Sequence, residues 1–267
     1  MKNGPLLIIG GAEEKYSGVT ILEKFIDLSK RHDGKVGILT TATEYPVEVG
    51  EEYQEVFAKL GSRDTITLDV DSREKADDKG ILDSVKDLSA LFITGGDQSR
   101  LTKMITGSTL HKLLLNKWRQ GMVVSGTSAG ASIMGKHMIV SAMTKDEDEI
   151  LQVEMDKGFG FMENLLIDQH FSQRARFDRL LGAIAGNPNL IGIGIDENTA
   201  ILVEGDRFEV LGEHQVLILD GKESSYVEVN KSETGSEELT VSNFKLHTLT
   251  SGCHFDLVKR ILIRKED

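Results

Sequence analysis

Short apolar runs that stop at glycine or a polar residue recur along the chain at residues 6–9, 36–39, 65–70, 91–93, 122–124 and 191–195. Uninterrupted runs of this length are what strands buried on both faces of a parallel sheet require. The segments between them carry a helical period. Leu22, Phe25, Ile26 and Ser29 fall at i, i+3, i+4 and i+7, as do Tyr53, Val56, Phe57 and Leu60, and again Phe177, Leu180, Leu181 and Ile184. Each set predicts a helix with one buried face. Strand alternating with helix predicts an α/β fold, a parallel sheet covered on both sides with right-handed crossovers, and functional groups at the strands' carboxyl ends. The pattern then shifts: residues 200–203, 207–211 and 215–219 are closely spaced strand-like runs joined by turns at 204–206 and 212–214, which predicts an antiparallel edge. Residues 230–238, charged and without period, read as an exposed loop. With no internal repeat and no linker, residues 1–267 are expected to form a single domain.

Composition narrows the function classes. A formal net charge of -12 argues against a nucleic-acid partner, because binding by counterion release needs clustered Lys and Arg. Cys253 is the only cysteine, which excludes an intramolecular disulfide and a Cys-rich zinc site. The first apolar run, residues 6–9, is too short for a signal-peptide core, and no run has membrane-spanning length. A cytoplasmic protein without a membrane partner is the expectation.

The candidate chemistry centres on residues 121–131, GMVVSGTSAGA. An apolar strand runs into Gly126-Thr127-Ser128-Ala129-Gly130, and Ile133 and Met134 continue as a helix could. This is the strand-turn-helix setting of a nucleophile elbow. The turn lifts the serine clear, and glycines two positions to either side let neighbouring backbone pass. The Ala129 amide, at the start of the following helix, can receive negative charge developing on a carbonyl oxygen. A second glycine turn, Gly95-Gly96-Asp97-Gln98, follows the strand ending at Thr94. The amide of Gly95 or Gly96 could be the second oxyanion donor and the Gln98 side chain could bond a substrate, while Asp97 caps the helix that follows.

A serine hydroxyl needs a base. Of the seven histidines, His32 and His111 sit in polar stretches of predicted helices, and His214, His247 and His254 lie in the C-terminal third. His137 is near the elbow in sequence only. His170 ends an apolar run within a crowd of polar groups, residues 168–179, DQHFSQRARFDR. Residues 191–195, IGIGI, deliver Asp196 and Glu197 to a strand's end, and strand alternation allows only one of them to reach the imidazole. The residues alone leave that choice open.

Four motifs in one order, TGGDQ, GTSAGA, IDQHFSQRARFDRL and IGIGIDE, resemble the cyanophycinases of the S51 serine peptidases. The resemblance implies a flavodoxin-like three-layer αβα fold, related to that of class I glutamine amidotransferases, and a homodimer. It implies Ser128 as nucleophile, His170 as base and Glu197 as orienter, with Gly96 and Ala129 in the oxyanion hole and neither metal nor other cofactor. Gln98, Asp168, Gln169, Gln173, Arg174, Arg176 and Arg179 fall on pocket positions. The implied substrate is cyanophycin, a polyaspartate bearing arginine on its side-chain carboxyls, cut to β-aspartyl-arginine dipeptides. Asp168 could meet an arginine guanidinium of that substrate or hold a pocket arginine in place. Two other readings compete: an aspartyl dipeptidase with the same chemistry, and a non-catalytic binder of peptide or polymer.

Overall fold

The uninterrupted apolar runs become a parallel sheet. In the computed structural model, which describes residues 3–30, 35–62, 64–142, 153–231 and 237–263, the strands are β1 (Leu6–Ile9), β2 (Lys35–Leu39), β3 (Thr65–Leu68), β4 (Leu88–Ile93) and β5 (Val123–Thr127). They lie in the spatial order β3-β2-β4-β5-β1, all parallel. Successive side chains point to opposite faces, so each strand feeds two cores. Leu7, Ile9, Ile38, Phe92 and Val123 pack with α1 (Thr20–Ser29) and α2 (Pro46–Lys59). Leu6, Ile8, Leu91, Ile93 and Val124 pack with α3 (Lys79–Lys86), α4 (Gln98–Ile105) and α5 (Thr109–Arg119).

The helical periods are realised in α1 and α2, and in part in the third set, where Leu180 and Ile184 are buried but Phe177 is exposed. All four residues of the first set are buried in α1, and in α2 Tyr53 and Phe57 join Phe25 and Phe92 in an aromatic cluster, with Val56 buried in the same core. Beyond the elbow the prediction fails in part. Only a single turn follows, α6 (Ala129–Ser132), with Ile133 and Met134 buried in the core past its end. One turn aligns too few peptide dipoles to act as a macrodipole, so any help for an anion there comes from individual amides.

The next strands leave the parallel sheet. β6 (His137–Ala142) and β7 (Val153–Lys157) form an antiparallel ribbon. β8 (Leu165–Gln169) and β9 (Ile191–Ile195), with α7 (Phe177–Gly186) between them, pair with each other in parallel. The run at 191–195 is therefore not a strand of the main sheet, as its sequence suggested. The free side of β1 is taken by β10 (Thr199–Glu204), which pairs antiparallel and continues into β11 (Arg207–Gly212). β12 (Val216–Asp220) instead adds to β9, giving a second sheet. The Ile-Gly-Ile-Gly-Ile alternation has a steric cause. Isoleucines 191, 193 and 195 face the main core, while the glycines face α7 and its approach. A Cβ on Gly192 would lie 2.7 Å from Ile184, and one on Gly194 2.5 Å from the Phe171 ring.

The C-terminal third is antiparallel, as the turn spacing implied. β13 (Tyr226–Lys231) and β14 (Glu237–Ser242) pair as a hairpin. The loop expected over 230–238 is thereby overturned at 230, 231, 237 and 238, while 232–236 lie outside the described residues. β15 (Lys245–Leu249) completes the second sheet in the order β15-β12-β9-β8. β16 (His254–Asp256) and β17 (Ile261–Ile263) extend the main sheet beyond β11 to nine strands.

Candidate active site

Three strand ends drawn from the two sheets meet at one point. β5 ends at Ser128, which adopts φ 51 and ψ -111, a conformation costly for a side-chain-bearing residue. β8 ends at His170, also at positive φ (47) and 8 % exposed. β9 ends at Asp196-Glu197, followed by Asn198 at φ 46. The Ser128 Oγ lies 2.9 Å from His170 Nε2, and His170 Nδ1 lies 2.5 Å from Glu197 Oε1. A carboxylate only accepts, so Nδ1 carries the proton and donates it to Glu197, which leaves Nε2 free to accept from the serine hydroxyl. Asp196 points the other way: it is 5 % exposed and accepts from the backbone amides of Ser172 and Gln215. Among the other histidines, His111 is held by the Gly107 amide and the Phe159 carbonyl, His247 packs edge-on to Phe255, and His32 lies outside the described residues.

The imidazole's environment suits a base. Burial is the largest influence and lowers its pKa below the usual 6.5; the positive charges of Arg174 and Arg176 add to that, and Glu197 opposes it. The ring is neutral at physiological pH and able to take a proton.

The glycine turn after β4 covers the serine. A Cβ on Gly95 would lie 3.3 Å from that of Ser128, and Gly96 has φ 138, open only to glycine. Gly96 is exposed, and its amide and that of Ala129 have no acceptor among the described residues. Asp97 caps α4 by accepting from the Ser99 amide.

The remaining pocket residues divide by what they already bind. Asp168, 1 % exposed, is enclosed by protein: Arg179 Nε donates to it at 2.6 Å, a second Arg179 nitrogen closes a bidentate pair, and Arg176 Nη1 approaches at 3.3 Å. Its own neighbour's amide, from Gln169, adds a further bond at 3.0 Å. Of the two roles open to Asp168 these contacts favour the second, the fixing of pocket arginines. Arg176 also donates to the Gln169 carbonyl. Burial brings its pKa down to about 10, still charged at neutral pH. Arg174 differs, being exposed and without an ion pair to any described residue. Gln98 donates to the carbonyls of Ile139 and Val140, which commits its amide nitrogen to β6. Gln173 accepts from the Glu197 amide at 3.2 Å, and Gln169 Oε1 lies 3.3 Å from Ser128 Oγ. Among the described residues no cluster of His, Cys, Asp or Glu has the arrangement of a metal site, and no helix is long and apolar enough to cross a membrane.

An arrangement of this kind is chemically able to carry acyl transfer through a serine. The model of peptidase family S51 matches residues 6–211. The chain belongs to this family. Among its S51 relatives, the cyanophycinase of Geminocystis herdmanii (strain PCC 6308) is 35% identical over 254 residues, covering 94% of this chain and 93% of that one. The cyanophycinase of Trichormus variabilis (strain ATCC 29413 / PCC 7937) is 34% identical over 261 residues, covering 97% and 87%. The crystal structure of a peptidase from an acI-B1 actinobacterium superposes with a TM-score of 0.68 over 93% of this chain and 97% of its own, at 22% identity, which establishes a shared fold. This S51 chain is accordingly a serine-type peptidase with a mostly parallel, flavodoxin-like α/β architecture.

One contributor was passed over in the sequence. Gly10-Gly11 also follows an apolar strand at a carboxyl end, the same signal as the other two glycine turns. Gly11, at φ 99, lies flat beneath the imidazole, where a Cβ would stand 2.5 Å from His170 Cε1.

Proposed function

We propose that this S51 peptidase is a cyanophycinase, a serine exopeptidase that releases β-aspartyl-arginine dipeptides from the end of cyanophycin. The observation that carries the chemistry is the continuous relay Ser128 Oγ, His170, Glu197, with both links within hydrogen-bond reach. The substrate reading rests on the cyanophycinase names of relatives that match nearly the whole chain.

Ser128 Oγ attacks the backbone carbonyl of an aspartate near the polymer's end, and its proton passes to His170 Nε2. The imidazolium that results is stabilised by Glu197 across Nδ1. The carbonyl oxygen becomes an oxyanion within reach of the Gly96 and Ala129 amides, neither of which is otherwise engaged. His170 returns the proton to the departing amine, the carbon–nitrogen bond breaks, and an ester to Ser128 is left. Water then gives its proton to Nε2, adds to the ester, and Ser128 leaves with a proton restored. Arg174 receives a free carboxylate at the polymer's end, a reading supported by its exposure and by its charge bearing on His170. Arg176 and Arg179, oriented by Asp168, form the wall behind it. We further propose a single domain over residues 1–267, a cytoplasmic location and a homodimer.

The decisive experiment is incubation with purified cyanophycin, with products identified by mass spectrometry, beside Asp-Leu as a dipeptide control. β-Aspartyl-arginine from the first and no cleavage of the second is expected; the reverse would make the protein an aspartyl dipeptidase. Ser128→Ala should lose on the order of 10⁶ in kcat. Activity near that of wild type would assign the nucleophile elsewhere.

A further inference from the structure

One short segment touches two members of the relay, and the residue that follows the third, through its backbone. The carbonyl of Ile9 accepts from the Ser128 amide at 3.1 Å, that of Gly10 from the His170 amide at 2.8 Å, and that of Gly11 from the Asn198 amide, one residue past Glu197, at 2.9 Å. Three consecutive carbonyls thus set the spacing between elements that come from two different sheets. Such a segment can act as a spacer only if it is itself held. Immediately beyond it Ala12 has φ 48, a conformation a side-chain-bearing residue keeps only under constraint.

The constraint is Glu13. Its side chain turns back beneath the sheet, 6 % exposed, and both carboxylate oxygens are engaged: Oε1 accepts from the Tyr53 hydroxyl and Oε2 from Thr127 Oγ1, each at 2.5 Å. Burial and the neighbouring carboxylate push the Tyr53 phenol well above its usual pKa, so it stays a donor. Glu13 has no ion pair among the described residues; the nearby Lys15 ammonium bonds Glu52 and lies over the Tyr53 ring. A buried carboxylate without a cation is costly unless strong hydrogen bonds compensate it. For packing alone, an apolar side chain would serve this position better.

Thr127 is the residue before the nucleophile and is 3 % exposed. Its one hydroxyl hydrogen is spent on Glu13, which fixes the last peptide of β5 from below while the Ile9 carbonyl fixes the Ser128 amide. Ser128, in its unfavourable φ and ψ, is thus held through the peptide that precedes its Cα. We propose that Glu13 is a positioning residue for the nucleophile, acting through the Thr127 hydroxyl to hold Ser128 at bonding distance from His170.

The test uses Thr127→Val, which removes the hydroxyl and keeps the shape, and Thr127→Ser, which keeps the hydroxyl and removes the methyl. The readouts are the rate constant for inactivation by a fluorophosphonate and, on cyanophycin, kcat and KM separately, with thermal melting to confirm a native fold. Thr127→Val is expected to slow inactivation and kcat by roughly 10- to 100-fold, the loss that follows from misplacing a reacting group by up to an ångström, with KM within about threefold. Thr127→Ser should recover to within about threefold of wild type in the same measurements. A wild-type rate in Thr127→Val, or equal losses in the two variants, would overturn the inference, the latter because the methyl and not the hydroxyl would then matter. Should Thr127→Val fail to fold, Glu13→Gln decides: equal in volume but uncharged, it should slow inactivation by roughly tenfold, and no change would overturn the inference. The inference rests on Ser128 being the nucleophile. Label absent from Ser128 in wild type would remove that reading and this one together, whereas normal wild-type labelling with an unaltered Thr127→Val removes this one alone.

Discussion

Gly11→Ala isolates the dependence of the relay on its floor. An added Cβ would stand 2.5 Å from His170 Cε1, 2.6 Å from Nε2 and 3.1 Å from Nδ1. Carbon atoms in van der Waals contact sit about 3.5 Å apart, so the ring must retreat by roughly an ångström. That carries Nε2 out of its 2.9 Å contact with Ser128, or Nδ1 out of its 2.5 Å contact with Glu197. Misplacement on this scale costs on the order of 10²-fold in rate. The backbone adds its own penalty, because φ 99 suits only glycine. That second effect must be separated from the first, and Gly18 provides the control: it lies before the same helix α1 with φ 65 and nothing within 4 Å of an added Cβ. Gly18→Ala should therefore lose about 1 kcal/mol of stability with kcat unchanged. Steady-state kinetics on cyanophycin, together with fluorophosphonate inactivation, would read the difference. If Gly11→Ala keeps kcat within threefold of Gly18→Ala, the imidazole is not held against this floor and the reasoning is wrong.

Two further variants probe the arginines. The free-enzyme pKa of His170 lies below 6.5, and because the base must be neutral, kcat/KM rises as pH increases through it; Arg174→Gln removes one of the charges that lower it, so the acid limb should move to higher pH while KM rises. A limb that stays in place would show that Arg174 does not bear on the imidazole. Asp168→Asn should cost roughly 3 kcal/mol in urea denaturation, because it strips the compensating charge from two guanidiniums whose side chains are only 12% and 17% exposed. A loss under about 1 kcal/mol would mean that those arginines find other partners or water.

The parts of the site that were legible in the sequence are those where local chemistry and strand ends coincide. GTSAG after an apolar run can be read because a tight turn admits few residues, and the amphipathic faces of α1 and α2 because burial imposes their period. The second sheet was not legible. IGIGI has the composition of a buried parallel strand and is one, paired with β8, but no local pattern says that β10 and not this run lies beside β1. Asp168 stayed undecided for a related reason: only the fold of α7 brings Arg179, eleven residues on, back against it. Glu13 carries no local signal, because its partners Tyr53 and Thr127 are 40 and 114 positions away.

That distribution has a consequence for how the relay is built. A triad assembled from one sheet inherits its spacing from the 4.8 Å separation of neighbouring strands, about the only distance such a frame offers. Here the serine and the imidazole belong to different sheets, and no ladder of hydrogen bonds runs between β5 and β8. Their separation is instead set by the carbonyls that follow β1, a strand paired with β5 on one side while its last residues reach toward the second sheet. The two glycines are what let it do so: a Cβ on Gly10 would stand 2.0 Å from the Asp196 carbonyl, and one on Gly11 would meet the ring. The chain order serine, histidine, glutamate, which differs from the serine, acid, histidine order of the α/β-hydrolases, follows from this arrangement. The imidazole and the carboxylate come from the ends of adjacent parallel strands of the second sheet, and the serine comes from the first.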